Sequence, residues 1–325
     1  MQQRMLGKTG LAVSVLTLGG GGIGMVWGST TDDECIETVK AAVASGVNLL
    51  DLAPVYGKGK AEEIVGQVWQ DLPTKPLIAT KVFVMPDERK DLAGAVQRSI
   101  EGSLTRLGLS HVDVFQLHNQ IEPREPIAPR RLTLREVIGG GGVLEAMQRL
   151  KDTGVVKALG CTGIARHDVV RELFADGRVD TVQLVTNILC SEGEMGARGD
   201  APYRDHLEMI RLAQAAGLGV FGIRPYAAGS LTTAIDRTLP PEHPVVRDFA
   251  LAQQHLGFLA TDPSFPLSVA ALRYALSLPG VSTVVTGAKN RKELAEAIAA
   301  VTAGPLPAAT IDRIATLQRT VLARQ

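Results

Sequence analysis

Short runs of Val, Leu and Ile alternate with amphipathic stretches along the whole chain. The apolar runs lack polar alternation, as expected of parallel strands covered on both faces. They predict strands over 13–18, 47–51, 77–81, 112–118, 155–160, 182–185, 219–223 and 281–285. Helical spacing predicts helices over 32–44, 61–69, 92–107, 143–151, 168–174, 203–216, 267–278 and 291–300, and a last one over 308–322. Thr31 stands where it can cap the first of these helices. Eight strand–helix pairs joined by right-handed crossovers close into an α/β fold, a (β/α)8 TIM barrel. An open doubly wound sheet is the alternative. Gly7-Lys8-Thr9-Gly10, between two apolar pieces, predicts an N-terminal β-hairpin that plugs the barrel's bottom. The last helix is an extra element at the C-terminus.

Three long connections, 19–30, 119–142 and 227–266, each follow a strand. They therefore fall on the C-terminal face, where barrel enzymes keep their active sites, and read as lids or substrate walls. Gly19-x-Gly21-x-x-Gly24 matches the G-x-G-x-x-G fingerprint, but residues 25–30 intervene before the helical pattern, so it reads as a flexible loop. Gly139 to Gly142 lacks the Gly-Lys-Ser/Thr of a phosphate loop and reads as the entry to the next helix.

Composition narrows the class. Lys plus Arg count 34 and Asp plus Glu count 34, a balance that argues against a nucleic-acid binder. No apolar run approaches the ~18 residues of a membrane span. Three widely spaced cysteines without a C-x-x-C exclude a disulfide framework and point to a reducing compartment, the cytoplasm. No His/Cys/carboxylate cluster has ligand spacing, so no metal is expected. The 325 residues show no shift in composition and read as one barrel domain, 1–325. Oligomeric state is not legible.

In this register Asp51, Lys81 and His118 end three successive strands, and Tyr56 lies in the loop after the first of them. Each alone has a bland reading as a loop cap, a rim residue, a solvated charge or a core histidine. Together they fit one chemistry. A tyrosine's pKa near ~10 is too high for free proton exchange at neutral pH, and a nearby ammonium lowers it. A carboxylate holds the lysine, and a histidine bonds a substrate oxygen. The set makes a proton donor aimed at a carbonyl.

Leu6 to Ser14, Val47 to Asp51 with Val55-Tyr56-Gly57, Ile78 to Lys81, Val114 to His118, and Val281 to Glu296 with Thr286-Gly287-Ala288-Lys289-Asn290 follow one another in family order. In these stretches the chain resembles the aldo-keto reductase family. The resemblance implies a barrel oxidoreductase that uses a nicotinamide dinucleotide to interconvert a carbonyl (aldehyde, ketone or aldose) and an alcohol. It makes Tyr56 the proton donor, Lys81 the group that lowers its pKa, Asp51 the partner of Lys81, and His118 the residue that orients the carbonyl. It assigns the nicotinamide carboxamide to Thr162 and Gln183 with Asn187 close by, the pyrophosphate to Arg224 and Gly229, and the adenosine to Gly287, Lys289 and Glu296.

Ile223 stands where many members carry an aromatic that stacks on the nicotinamide, and Glu293 replaces a common Gln. Lys289, Arg291 and Lys292 could attract the 2′-phosphate of NADP, whereas Glu293 would repel it if it faces the ribose. The expected cofactor is NADP, with NAD possible. Trp27 and Phe83 are expected to wall the substrate pocket, and Arg124, Arg130 and Arg131 to pair with Glu122 and Glu125. The alternatives are a cofactor-binding regulatory subunit with little turnover, a role some relatives have, and a Schiff-base aldolase using Lys81 as nucleophile.

Overall fold

The two-residue period of eight strands decides what fills the centre of this molecule. The computed structural model describes residues 1–124, 128–195, 206–260 and 265–321. In chain order the elements are β1 (Gln3–Met5), β2 (Ala12–Ser14), β3 (Leu16–Gly19), α1 (Gly20–Ile23), α2 (Asp32–Ala44), β4 (Leu49–Asp51), α3 (Lys60–Val68), β5 (Leu77–Val82), α4 (Leu92–Leu107), β6 (Val112–Leu117), β7 (Ile121–Glu122), β8 (Leu132–Thr133), α5 (Leu134–Ile138) and α6 (Val143–Asp152). They continue with β9 (Val156–Thr162), α7 (His167–Asp176), β10 (Thr181–Val185), α8 (His206–Ala215), β11 (Gly219–Ile223), α9 (Pro244–His255), α10 (Leu267–Ser277), β12 (Thr283–Thr286), α11 (Arg291–Thr302) and α12 (Ala308–Thr320). Strands β3, β4, β5, β6, β9, β10, β11 and β12 form the closed parallel (β/α)8 barrel.

Inward-facing positions stack in layers, as side chains of alternate residues must in a closed sheet. Leu49, Ala79, Val114, Ala158 and Phe221 form an apolar floor with Leu6 and Val13 of the β1–β2 hairpin. The hairpin thus plugs the end where the strands begin. Two residues further along the same strands stand Asp51, Lys81, Gln116, Gly160 and Ile223. Gly160 is required here: a Cβ would lie 2.3 Å from Thr181 Oγ1 and 2.9 Å from Gln116 Cγ.

Helices begin where capping dictates. Thr31 accepts from the Glu34 amide at 3.2 Å, and Asp91 accepts from the Gly94 amide at 3.0 Å, so α2 and α4 run between their expected ends. Elsewhere the structure departs from the pattern. The strand expected over 13–18 is two, because the Ser14 hydroxyl donates to Leu16 O at 2.6 Å and its amide donates to Asn48 Oδ1 at 2.6 Å, turning the hairpin away from β3. The loop at 19–30 opens directly with α1, so its glycines do start a helical turn. Gly22 permits it, since a Cβ there would lie 2.2 Å from Ala288 O. The loops at 119–142 and 227–266 hold β7, β8, α5 and α9. The expected helix start at Tyr203, the expected end at Leu322, and Glu125 lie outside the described residues.

Candidate active site

The four polar groups converge at the C-terminal mouth of the barrel. Asp51 closes β4, Lys81 is the penultimate residue of β5, His118 follows β6, and Tyr56 stands in the turn after β4. Lys81 Nζ lies 2.9 Å from Asp51 Oδ2, donates to Leu52 O at 2.7 Å, and sits 5.0 Å from the centroid of the Tyr56 ring. Tyr56 and His118 meet edge to face with centroids 5.6 Å apart. Lys81 is fully buried and Asp51 is 2% exposed, so the ion pair is shielded from water and weakly screened.

Asp51 is loaded further. Gln116 Nε2 donates to its Oδ1 at 3.0 Å, and Gln183 Nε2 reaches both carboxylate oxygens at 3.0 Å. Lys81, Gln116 and Gln183 together supply the hydrogen-bond donors that a buried carboxylate requires.

Electrostatics separates the roles. Burial pulls Lys81 down, but Asp51 and Tyr56 outweigh it, and the ammonium's pKa ends above its ordinary value. Burial pushes the Tyr56 phenol up, and the opposing pull of Lys81 does not cancel it. The phenol pKa therefore ends raised, not lowered, because the desolvation that strengthens the Lys81 contact also penalises the phenolate. Burial, aided by the charge on Lys81, pushes the His118 pKa down to about 3. His118 is thus a neutral imidazole at every physiological pH. In the unfolded chain it titrates near ~6.5, so the folded state binds fewer protons between the two values. The stability this group confers is complete above that upper value and drains away as pH falls towards the lower one. Urea denaturation should show a loss of ~2–3 kcal/mol between pH 7 and pH 4.5 that His118→Gln removes.

A cavity of about 770 Å³ opens on these residues and runs across the barrel mouth to the start of α11. Its wall includes Thr162, Gln183, Ile223, Arg224, Gly229, Gly287, Lys289, Glu293 and Glu296, together with Trp27, Tyr56 and His118. Asn187 is not on that wall: its amide donates to Ser191 O at 2.8 Å and accepts from the Ser191 amide at 3.1 Å, which fixes a turn. Phe83 is also off the wall and packs edge-on against His118 at 6.1 Å, supporting the imidazole from behind. Gln183 reaches the wall, but its amide donor is already given to Asp51.

The residues fit an elongated dinucleotide. The cavity falls within the ~300–1,000 Å³ of small-molecule sites. The Thr162 hydroxyl on its wall is buried without a hydrogen-bond partner among the described residues, a group that a bound polar ligand would satisfy. Among the described residues, no group of three or more His, Cys, Asp or Glu side chains is placed to hold a metal ion.

Gln116, Tyr226, Asp236 and Arg237 are among the wall or support residues that escaped the sequence reading. Gln116 carried a signal, being a lone amide in the interior register two residues before His118. Tyr226 stands on the wall with its hydroxyl 3.1 Å from Thr286 Oγ1, three residues beyond the Ile223 position. Asp236 and Arg237 come from the long connection after β11. Asp236 lies 2.9 Å from Lys289 Nζ, and the Arg237 guanidinium stacks 5.6 Å from the centroid of the Trp27 ring. Nothing local in the sequence announces those two contacts. Arg131 does pair with Glu122.

Comparison with known proteins bears on this geometry. The family model described as Aldo/keto reductase family matches residues 15–319. L-galactose dehydrogenase of Arabidopsis thaliana is 27% identical over 308 residues, covering 93% of this chain and 88% of that protein. The NADH-specific methylglyoxal reductase of Escherichia coli is 28% identical over 261 residues, covering 74% of this chain and 72% of that one. The holo form of aldo-keto reductase AKR11C1 from Bacillus halodurans superposes with a TM-score of 0.73 at 25% identity, covering 98% of this chain and 96% of that one.

Proposed function

The chain belongs to the aldo/keto reductase family, and on that premise we propose that it is a nicotinamide-dinucleotide-dependent oxidoreductase that interconverts a small carbonyl compound and an alcohol. The observation that carries this reading is the buried Lys81–Asp51 pair beneath a half-buried Tyr56 and His118 that open on one long cavity. A bound reduced dinucleotide would supply the hydride, and the rest of the work falls to the chain. Thr162 and Gln183 would hold the nicotinamide end, Arg224 and Gly229 the pyrophosphate, and Gly287, Lys289, Glu293 and Glu296 the adenosine. Ile223 would give that end apolar packing instead of an aromatic stack, and Trp27 would wall the cavity mouth.

Tyr56 keeps its proton at neutral pH because burial raises its pKa, so its hydroxyl is a donor for the oxygen of a carbonyl being reduced. His118, neutral throughout, can hydrogen-bond the same oxygen without competing for the proton. Lys81 compensates the charge that the donation leaves on the phenol oxygen. In the oxidation direction Tyr56 must first lose its proton, so oxidation should rise with pH while reduction stays flat through neutrality. We assign this work to a single barrel domain in the cytoplasm. Cys35, Cys161 and Cys190 are buried thiols, which suits a reducing compartment. Among the described residues no helix is long and apolar enough to cross a membrane.

A Schiff-base aldolase needs a lysine with a lowered pKa. Lys81 is held charged by Asp51, the opposite condition. The reading is tested by assaying aldehydes, ketones and sugars in both directions with NAD(H) and NADP(H) side by side. It expects dinucleotide-dependent turnover of at least one carbonyl–alcohol pair. Borohydride trapping of a substrate on Lys81, without any dinucleotide requirement, would overturn it.

A further inference from the structure

Resting on the reading of the cavity as a dinucleotide site, we infer that Glu293 makes it select NAD(H) over NADP(H). The two cofactors differ by one phosphate on the adenosine ribose, so the choice falls to the charges at the α11 end of the cavity. Two of the three basic residues there are already engaged. Lys289 Nζ lies 2.6 Å from Glu293 Oε1 and 2.9 Å from Asp236 Oδ2. Arg291 is turned outward, its guanidinium donating to both oxygens of Glu34 at 3.1 and 3.0 Å. Lys292 alone of the three has no ion pair among the described residues, and it lines the cavity.

Glu293 is also fixed from below. Its Oε2 accepts from the Lys289 amide at 3.0 Å, and its own amide donates to Asn290 Oδ1 at 2.9 Å. The carboxylate thereby holds the N-terminal end of α11, where the helix dipole would otherwise favour a phosphate. A 2′-phosphate has to displace Glu293 or Asp236 from Lys289 and then remain beside the displaced carboxylate. An unphosphorylated ribose asks for no such exchange, and its two hydroxyls are donors that a carboxylate accepts.

The test is equilibrium titration of the purified protein with NADH and with NADPH, followed by calorimetry, so that it does not depend on any substrate. The wild type should bind NADH at least about tenfold more tightly than NADPH, about 1.4 kcal/mol. Glu293→Gln keeps the hydrogen bond to the Lys289 amide and should shift the NADPH-to-NADH affinity ratio towards NADPH by about tenfold. Asp236→Asn should shift the ratio in the same direction. Equal or tighter NADPH binding by the wild type overturns the inference alone, as does a ratio that neither variant moves. Failure of both dinucleotides to bind overturns the functional reading, and this inference with it.

Discussion

Replacing Tyr56 by Phe should lower turnover by about 10²–10⁴-fold, the usual worth of a positioned general acid, while leaving dinucleotide affinity unchanged. The two halves of this expectation come from different parts of the structure. The hydroxyl is the only group removed, and the ring that carries it meets His118 and Lys81 rather than the α11 end of the cavity. The ring stays, and with it the edge-to-face contact that supports His118. The pH dependence adds a second check. With the phenol pKa raised by burial, reduction by the wild type should stay flat until the pH exceeds the ordinary tyrosine value of ~10. Oxidation should climb across the same range, since it draws on the deprotonated form. Isothermal titration of the variant with NADH beside steady-state rates separates the outcomes. A loss of binding together with turnover would mean that Tyr56 serves the architecture of the site and not proton transfer.

Replacing Lys81 by Met should cost both activity and stability. The ammonium is fully buried and faces a carboxylate that is 2% exposed. Its removal strands Asp51 with amide donors only, and breaking a buried pair in this way costs about 3–5 kcal/mol. Turnover should fall as well, because nothing then compensates the charge left on the Tyr56 oxygen. The double substitution Asp51→Asn with Lys81→Met removes both charges. It should regain most of the stability, since no buried charge is left unpaired, yet regain no activity. Urea denaturation of the single and double variants measures this directly. A double variant as unstable as Lys81→Met would show that packing around the lysine stem, not charge pairing, dominates.

The barrel was legible because its strands are apolar on both faces and its main helices carry local start signals. Thr31 and Asp91 place α2 and α4 residue for residue. The hidden elements lacked those signals. The inner face of α9 carries Asp248, which is buried and bonded to the Ser191 hydroxyl, so the apolar stripe that marks a helix is interrupted. α5 has five residues, too few to show a period, and α1 is built mostly of glycine. Asp51, Lys81 and His118 could be read from strand ends, with Tyr56 beside them in the following loop. The second set of contacts to Asp51 could not, because Gln183 lies 132 residues away in the chain. The pairing of Lys289 with Asp236 likewise joins positions 53 residues apart. A run of basic residues therefore looked available for a phosphate when two of its members, Lys289 and Arg291, were already matched.

With Tyr56 as the proton donor, a hydride should pass directly between a nicotinamide ring and a carbonyl carbon in the cavity beside it. Reduced dinucleotide carrying deuterium at its transferable position, incubated with an accepted carbonyl, tests it in one mass measurement of the product. The expected product is an alcohol with one deuterium on the former carbonyl carbon for each dinucleotide oxidised. Tight dinucleotide binding with no labelled alcohol from any carbonyl offered would contradict it, and would make the site a sensor of the cofactor and not a catalyst.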